Sequence, residues 1–554
     1  MRIKPIDAAA VAFFALIVSA GSHPSRGENQ PDKRSIHPQF RTSDRCVACH
    51  NGLKTSSGED ISIGFQWSAS IMANSSRDPY WQGSVRRESI DHPASQAAIE
   101  NECSTCHMPA SHYANQVDGR MTQVFSHLPL KTTAKGDRAP ADGVTCSVCH
   151  QIAPSGLGTE KTFNGEVDFA QPAKIDQRPE YGPFDIDAGH KRVMQSSTAG
   201  FVPMQGDQIR DAGLCGSCHT LITDALGPNG EKIARFPEQV PFLEWQHSDY
   251  VKKETCQSCH MPVVDEAVAV TALYGKPREG MHRHVFVGGN FVMEGMLKDH
   301  REDLDVQAQP EVLDAAIKRT IEFLQTKTAK VAICGTDVAA GQLTIHVQVQ
   351  NLTGHKLPTA YPSRRAWLHV VVRDGGGQVV FESGALNADG SIVGNDNDAD
   401  PLRFEPHYSE ITSSQQVEIY EPILKDSEGR VTTGLLHAVG YLKDNRLLPT
   451  GFNKRTAEKE IAVTGKAADD PYFTGEGSLV HYKVSTGNAK GPFHVAVELW
   501  YQPIGFRWAH NLGAYQASEP QRWVRYYEQA AQKSAVVLAK AEATPVSKSV
   551  EKDN

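Results

Sequence analysis

The chain of 554 residues lacks long apolar runs beyond its first 20 residues, and it lacks any run of basic residues. No later segment approaches the roughly 18 consecutive apolar residues that indicate a membrane-spanning helix. The formal charge is -9 and the pI is about 6.2, so the composition does not indicate a nucleic-acid-binding surface. Isolated cysteines are scarce too, because ten of the eleven fall into close pairs and only Cys334 stands alone. The cysteine pairs are therefore the feature to explain.

Each cysteine pair belongs to a pentapeptide of the form C-x-x-C-H, which occurs five times. Random order at this composition would give on the order of 0.01 copies. The pattern is typical of c-type haem attachment, in which both thiols add to the haem vinyl groups and the adjacent histidine binds the iron. The predicted attachment residues are Cys46, Cys49, Cys103, Cys106, Cys146, Cys149, Cys215, Cys218, Cys256 and Cys259. The predicted proximal iron ligands are His50, His107, His150, His219 and His260.

Other uses of cysteine pairs explain less of the pattern. A zinc site pairs C-x-x-C units but needs no histidine directly after each of them. A thioredoxin-like redox motif would occur once. A disulfide framework would leave the five histidines without a role. The predicted cofactors are therefore five covalently attached haem c groups.

The first 20 residues have the features of a secretory signal peptide. Arg2 and Lys4 precede an apolar run from Ala8 to Ala20, which is short for a membrane span. An uncleaved anchor is the alternative, and no cysteine follows the run to indicate a lipoprotein. We expect export to the periplasm or the cell surface, with no stable membrane span after cleavage and a flexible segment over 21–41.

The predicted fold class is α+β with several domains. A pentahaem domain over 42–304 should be mostly irregular or helical, because each haem replaces much of the side-chain core that such a segment needs. Pro310 then begins a connecting helix within 305–329. From Leu343 to Val349, apolar and polar residues alternate, and further short strands follow, which predicts an all-β sandwich over 330–506.

The end of the chain is predicted to be helical. Ser518 and Gln521 match a capping box, and Trp523 and Tyr527 belong to an apolar face, so we expect a helical segment over 507–543 and a polar tail over 544–554. Cys334, at the first strand of the sandwich, is expected to be a small buried apolar residue.

The ligand opposite each proximal histidine decides what a haem does, because a second histidine or a methionine blocks the iron and an open position admits substrate. Between residue 37 and the connecting helix the chain has nine further histidines: His37, His92, His112, His127, His190, His247, His282, His284 and His300. The candidate distal ligands are His112, His127, His190, His247 and His284. His112 lies too near its own motif to reach across its own haem, so it would serve a neighbour. Met72 is a candidate thioether ligand, with a core methionine the favoured interpretation.

The five motifs resemble those of multihaem c-type cytochromes, loosely the cytochrome c554-like group, across 46–260. Residues 351–365 look like a segment of multihaem cytochromes that have a C-terminal β-domain, and Gly288-Gly289-Asn290 has a similar character. The resemblance implies electron transfer in the periplasm or at the cell surface. Because the group includes carriers and enzymes, it does not fix the activity.

Several residues of the β region are further candidates. His355 is either a distal ligand or a hydrogen-bond partner of a propionate, and Arg364 and Arg365 either pair with propionates or are solvated. The acidic loops at 387–390 and 395–400 offer oxygen ligands for calcium, but a solvated acidic loop is favoured because the spacing is not an EF-hand.

The favoured function is electron transfer along closely packed haems between redox partner proteins, other cytochromes among them. An acidic carrier suits basic partner surfaces. The alternative is a multihaem oxidoreductase in which one open-site haem acts on a small nitrogen or sulfur compound, with Tyr361, His355 and His407-Tyr408 near it. A third hypothesis is a binding protein whose β-sandwich recognises a partner or an insoluble acceptor.

Overall fold

The computed structural model describes residues 40–131, 138–172, 174 and 176–544. The predicted signal peptide, nearly all of the 21–41 segment, His37 and residues 545–554 of the polar tail lie outside the described residues. All described residues belong to one compact unit.

Short helices and two-stranded sheets make up the haem region, residues 42–304. Its helices are α1 Asp44–Val47, α2 Ile63–Ser68, α3 Pro79–Asp91, α4 Gln96–His107, α5 Pro109–Val117, α6 Cys146–Gln151, α7 Ala188–Ser197, α8 Ala212–Gly216, α9 Pro241–Gln246, α10 Cys256–His260 and α11 Phe291–Asp299. Its strands are β1 Arg178–Gly182, β2 Phe201–Gln205, β3 Leu221–Leu226, β4 Lys232–Gln239, β5 Val268–Ala269 and β6 Pro277–Arg278. The pair β1–β2 is parallel, whereas β3–β4 and β5–β6 are antiparallel.

The local sequence explains why α3 begins where it does. Asp78 accepts hydrogen bonds from the backbone N–H groups of Tyr80 and Trp81, and Pro79 occupies the first helical position. Both features stabilise a helix start, since the first N–H groups of a helix have no partner inside it. The helix α3 then presents Tyr80, Trp81 and Val85 to the interior.

The connecting helix is present as α12 Pro310–Lys327, with Pro310 in its first turn as the sequence predicts. It buries Leu313, Ala316, Thr320 and Leu324. Ile317 and Ile321 are half-buried beside them.

The β region, residues 330–506, and the chain end that follows it hold two five-stranded sheets and one three-stranded sheet. The strands are β7 Ala329–Ala339, β8 Gln342–Asn351, β9 Arg365–Arg373, β10 Val379–Ser383, β11 Glu410–Ile411, β12 Ile419–Tyr420, β13 Pro422–Lys425, β14 Val431–Thr432, β15 Gly440–Asp444, β16 Phe473–Thr474, β17 Gly477–Ser485, β18 His494–Gln502 and β19 Val536–Ala543. Helices α13 Asp396–Ala399, α14 Phe506–Asn511 and α15 Ser518–Ala530 complete the described elements. One sheet has the order β10-β9-β18-β19, with β12 on β9, and the other has the order β11-β17-β8-β7, with β16 on β17.

The strand patterns of the sequence recur in the structure. Along β8, buried and partly exposed residues alternate from Leu343 to Asn351. The strands β9 and β10 form a hairpin and pair antiparallel around the turn at Asp374–Gly377. The mixture of helices and antiparallel sheets is the α+β character that the sequence predicts.

One hydrophobic core runs through both regions. Met293 and Leu297 from α11 and Leu313 from α12 belong to the same buried cluster as Ile345 from β8 and Leu499 from β18. The β region therefore does not bury its apolar faces by itself, because helices of the haem region and of the connector contribute to the same interior.

Three local predictions were wrong. Cys334 is exposed, because a bulge between Ile333 and Gly335 interrupts the pairing of β7 and turns the thiol outward. Ser518 forms no capping bond, since α15 begins at Ser518 itself and Ala517 is its N-cap residue. The segment 507–543 is not helical throughout, because residues 536–543 form β19, which pairs antiparallel with β18.

Candidate haem-binding site

All five C-x-x-C-H motifs adopt a helical turn. Three of them lie at the end of α4 and within α6 and α10. In the other two, the backbone N–H of His50 donates to Cys46 at 3.1 Å, and that of His219 donates to Cys215 at 2.9 Å. Residues three and four positions apart share one helix face, so each turn presents two thiols and one imidazole to the same side. This is the arrangement that double thioether attachment with proximal ligation needs.

The histidines of four motifs are oriented by hydrogen bonds from Nδ1. In each of them Nδ1 donates to a backbone carbonyl: His50 to Val270 at 2.7 Å, His107 to Ser75 at 2.8 Å, His150 to Tyr181 at 2.5 Å and His260 to Val287 at 2.5 Å. A ring that donates from Nδ1 keeps the electron pair of Nε2 free for a metal.

Burial keeps these imidazoles uncharged. It lowers the pKa of His107 and of His219 to about 4. Burial also lowers the pKa of His50, His150 and His260. A neutral imidazole is the form that binds a metal, so the motif residues fit the predicted haem.

Two pairs of histidine rings have the separation and the small tilt expected of two imidazole ligands of one metal. The ring centroids of His150 and His284 are 6.4 Å apart with 14° between their planes, and those of His260 and His355 are 6.3 Å apart with 14°. Two imidazoles that bind one metal from opposite sides, each through a bond of about 2 Å, have centroids roughly 6 Å apart. The separation of each pair therefore matches that of two imidazoles on one metal ion.

His284 and His355, the members of the two pairs outside the motifs, are half-buried and held in place by hydrogen bonds. Burial lowers the pKa of His284 to about 3 and that of His355 to about 4. His284 donates from Nδ1 to the carbonyl of His282 at 3.0 Å, and its backbone N–H donates to Gln66 Oε1 at 2.9 Å. His355 donates from Nδ1 to the carbonyl of Lys356 at 2.9 Å.

A buried ionic network fixes the loop that carries His355. Lys356 Nζ lies 2.7 Å from Asp444 Oδ2, and Arg446 pairs with both Asp444 and Glu244 at 2.8 and 2.9 Å. Glu244, in α9, also accepts from the backbone N–H of Lys356 at 3.1 Å and from Thr359 Oγ1 at 2.5 Å. Through this network a helix of the haem region holds a loop of the β region against His260.

The other predicted distal ligands have different surroundings. His112 is buried, with Nδ1 3.0 Å from Ser104 Oγ. His190 is engaged at both ring nitrogens, by Asp187 at 2.7 Å and by the carbonyl of Tyr274 at 2.8 Å. His247 donates from Nδ1 to Leu243 at 2.8 Å, with Nε2 3.9 Å from Glu458. His127 is half-buried at the end of a short 3-10 turn, Val124–His127.

Further candidates from the sequence lie in other contacts. His282 donates from Nδ1 to the carbonyl of Met261 at 2.5 Å, directly after the fifth motif. His300 stacks on Tyr526 with ring centroids 3.5 Å apart. Met72 is half-buried, and its carbonyl accepts from the backbone N–H of Val144 at 2.9 Å.

The motifs are not ordered in space as they are in sequence. The first lies against the third: the Cys46 thiol contacts the Cys146 thiol, and this contact lowers the pKa of Cys46 and raises that of Cys146. Hydrogen bonds join the two segments as well, since Ser147 Oγ accepts from the backbone N–H of Arg41 at 3.0 Å and Ser43 donates to Asp142 at 2.7 Å.

The fourth motif lies among three others. The Cys218 thiol contacts Cys106 of the second motif, which lowers the pKa of Cys218, and the Cys215 thiol contacts Cys256 of the fifth, which raises the pKa of Cys215. Cys149 of the third motif lies within electrostatic reach of Cys218, although burial is the main cause of its raised pKa of about 12. The described contacts thus connect the first motif to the third and the third to the fourth. The second and fifth motifs both contact the fourth.

The contacts of Arg365 and Asp398 in the β region differ from those expected from the sequence. Arg365 is buried in a bidentate pair with Asp398, at 2.7 and 2.9 Å, so it is not available to a propionate. The same pair occupies Asp398, which is neither solvated nor free for calcium. Arg364 donates to the carbonyl of Thr359 at 3.0 Å, and its charge acts on the pKa of His219 and His260.

The residues suggested for an open distal pocket are not brought together as a set. His407 is enclosed by Glu418 and Asp470, at 2.7 and 2.9 Å. Tyr361 packs edge-on against Tyr80, with ring centroids 5.9 Å apart. His355 faces His260 instead. Sequence reasoning gave His355 less weight than His112 or His190, and it did not single out Glu244 or Lys356, because these residues carry no motif.

The whole fold is similar to the crystal structure of a penta-heme cytochrome c552 from Thermochromatium tepidum. The TM-score is 0.51 at 16% sequence identity, and the similarity covers 92% of this chain and 99% of that one. No protein-family model matches the chain, and no curated protein matches it. Within the part of the chain that the structure describes, no helix has both the length and the apolar character needed to cross a membrane.

Proposed function

We propose that the chain is an exported, periplasmic or cell-surface, multihaem c-type cytochrome with five covalently attached haems, and that it transfers electrons between redox partners. The observation that carries this proposal is the pair of facing imidazoles at His150/His284 and His260/His355. A second histidine opposite the first closes an iron to substrate, which suits an electron carrier.

In this proposal the paired histidines act as iron ligands. When bound, the haems supply one-electron Fe(III)/Fe(II) couples. Ligation by two histidines favours low potentials compared with histidine–methionine ligation. We also propose the layout predicted from the sequence: a pentahaem domain over 42–304 of the c554-like kind, and a β-sandwich over 330–506 that serves docking as well as ligation through His355.

One observation favours the alternative of a multihaem oxidoreductase. Among the ring contacts of the described residues, no imidazole faces His50, His107 or His219 in the geometry of the other two pairs. An iron held by one of these three with an open opposite side would act on a small nitrogen or sulfur compound.

The experiment is electronic absorption and EPR spectroscopy of the fully oxidised, haem-loaded protein, before and after addition of nitrite, hydroxylamine, sulfite and carbon monoxide. We expect five haems per chain, low-spin and silent to these ligands. A high-spin iron that binds one of them in the wild type would favour the oxidoreductase.

Two variants test the ligand assignment itself. His284→Ala and His355→Ala should each convert one haem of the five to a high-spin form that binds carbon monoxide. His190→Ala is the matched control, because its ring already bonds to Asp187 and Tyr274. Unchanged low-spin spectra in both variants would contradict the assignment.

A further inference from the structure

Three potential metal ligands converge at a place that the haem motifs do not use. Glu88 lies in the last turn of α3, His92 is the C-cap residue of that helix, and His437 reaches them from the loop between β14 and β15. One donor atom from each of the three lies within 4.8 Å of the other two. Residues four positions apart on a helix share a face, so α3 directs the carboxylate and the imidazole to the same point.

Two of these side chains each have a buried atom without a hydrogen-bond partner. Glu88 is 5% exposed and His92 is 6% exposed. Glu88 Oε2 and His92 Nε2 lie 4.0 Å apart, and neither atom has a hydrogen-bond partner within the described structure. The other carboxylate oxygen, Oε1, accepts from the backbone N–H of Leu435 at 2.8 Å, which orients the group. Leaving a buried polar atom unpaired is unfavourable, and a shared cation would remove that cost.

The geometry differs from that of an axial haem ligand. The rings of His92 and His437 face each other, with centroids 4.5 Å apart and 41° between their planes. The pairs His150/His284 and His260/His355 have centroids more than 6 Å apart and nearly parallel planes. An axial site also needs one imidazole, whereas two imidazoles and a carboxylate meet here.

We propose that Glu88, His92 and His437 bind one divalent transition-metal ion, separate from the haem irons. Two imidazoles and one carboxylate form a ligand set that zinc and ferrous iron both accept, with further positions left for water. The donor atoms are slightly farther apart than the ligands of a bound ion, so the side chains would draw together on binding. Arg87 lies beside the site, within electrostatic reach of Glu88 and His92, and it also donates to Thr433 at 2.9 Å and pairs with Asp91 at 3.5 Å.

The site adjoins the second haem motif. Val85, on α3, and Leu436, next to His437, pack into one buried cluster with Trp81. Trp81 stacks on the proximal His107 with ring centroids 4.3 Å apart. The proposed ion therefore lies behind the second haem motif and goes beyond the electron-transfer role proposed for the haems.

The test is zinc binding by the haem-loaded protein, measured by equilibrium dialysis against zinc chloride and elemental analysis. Total metal is compared with haem iron from the pyridine haemochrome assay. We expect one zinc per chain, with Glu88→Gln and His437→Ala each weakening the affinity by at least about tenfold. His494→Ala is the control, since it removes an exposed histidine from β18.

Two results would overturn the proposal. One is zinc uptake that is absent in the wild type or unchanged in Glu88→Gln, His92→Ala and His437→Ala. The other is conversion of one haem to high spin in His92→Ala or His437→Ala, because that would make the histidine an axial ligand of a haem. Glu88→Gln preserves the shape of the side chain, so it separates loss of zinc from loss of folding.

Discussion

At the scale of single residues, His407 is a buried imidazole placed between two carboxylates. Nδ1 lies 2.7 Å from Glu418 and Nε2 lies 2.9 Å from Asp470. Burial by itself would lower the pKa of His407, but the two carboxylates outweigh it and raise the pKa to about 9. The ring is therefore a charged part of the β region and not a haem ligand.

This raised pKa gives stability a pH dependence. The folded pKa lies above the unfolded value of about 6.5, so the stabilisation is fully present below pH 6.5 and is lost as the pH rises through 9. We expect the free energy of unfolding to fall by on the order of 2–3 kcal/mol between pH 6.5 and 9.5. Urea denaturation of the haem-loaded protein at a series of pH values measures it.

His407→Gln should remove most of that pH dependence and be less stable than the wild type at pH 6. His494→Gln, at an exposed position, should keep it. Two results would show that the two carboxylates do not hold the ring in its charged form. One is a wild-type free energy of unfolding that does not fall over this pH range, and the other is a His407→Gln variant in which it falls as steeply as in the wild type.

The sequence singles out candidate proximal ligands because each stands in one pentapeptide with its two cysteines. Candidate distal ligands carry no such local pattern. His284 and His355 come near His150 and His260 only through tertiary packing, and the sequence alone does not separate them from His190, which bonds to Asp187 and Tyr274. The neighbouring rings and hydrogen-bond partners distinguish them, and the local sequence contains neither.

At the scale of elements, α9 and the loop that carries His355 act as one unit. Glu244 is fully buried and contacts Arg446, Lys356 and Thr359. Removing one partner from a buried charged network typically costs about 3–5 kcal/mol, because the opposite charge remains without compensation. Glu244 should therefore position the distal ligand of the fifth motif, without touching a haem itself.

We predict that Glu244→Ala lowers the free energy of unfolding by about 3–5 kcal/mol and makes one haem partly high-spin. Glu244→Gln, which keeps the shape of the side chain, should lie between the wild type and Glu244→Ala in both properties. Denaturation and EPR of the same samples measure the two effects. Glu254→Ala is an exposed control next to α9. Loss of stability with every haem still low-spin would restrict Glu244 to a structural role.

The strand β19 shows why one element could not be predicted. Its residues Val536–Ala543 are rich in alanine and include Lys540 and Glu542, which favour a helix locally. Pairing with β18 from Val495 to Tyr501 overrides that preference, and Leu538 is buried as a result. Strands β8, β9 and β10 were predictable because each shows its period or its turn within a short window.

At the scale of the whole molecule, a continuous core joins segments that the sequence divides into domains. Tyr80 from α3, Leu313 from α12 and Trp523 from α15 belong to one buried cluster. Composition and periodicity indicate where haem motifs give way to strands, but they carry no information about which faces meet. The same limit applies to the haems, since sequence order gives 1 to 5 whereas the contacts place the fourth motif among the second, third and fifth.

This branched arrangement predicts how the haems influence one another. The charge on one iron changes the free energy of reducing its neighbours, and the effect falls with distance. Cys215→Ser with Cys218→Ser removes the fourth haem and should shift the midpoint potentials of three others. Cys46→Ser with Cys49→Ser removes the first haem and should shift mainly one, that of the third motif. Spectroelectrochemical titration of the two four-haem proteins against the wild type measures the shifts, and each variant is the control for the other.

If the protein without the fourth haem does not accumulate, His219→Met leaves that haem attached and changes its potential, so the same three neighbours should respond. Equal numbers of shifted potentials after loss of the first and of the fourth haem would rule out the branch at the fourth motif and favour an unbranched chain of haems.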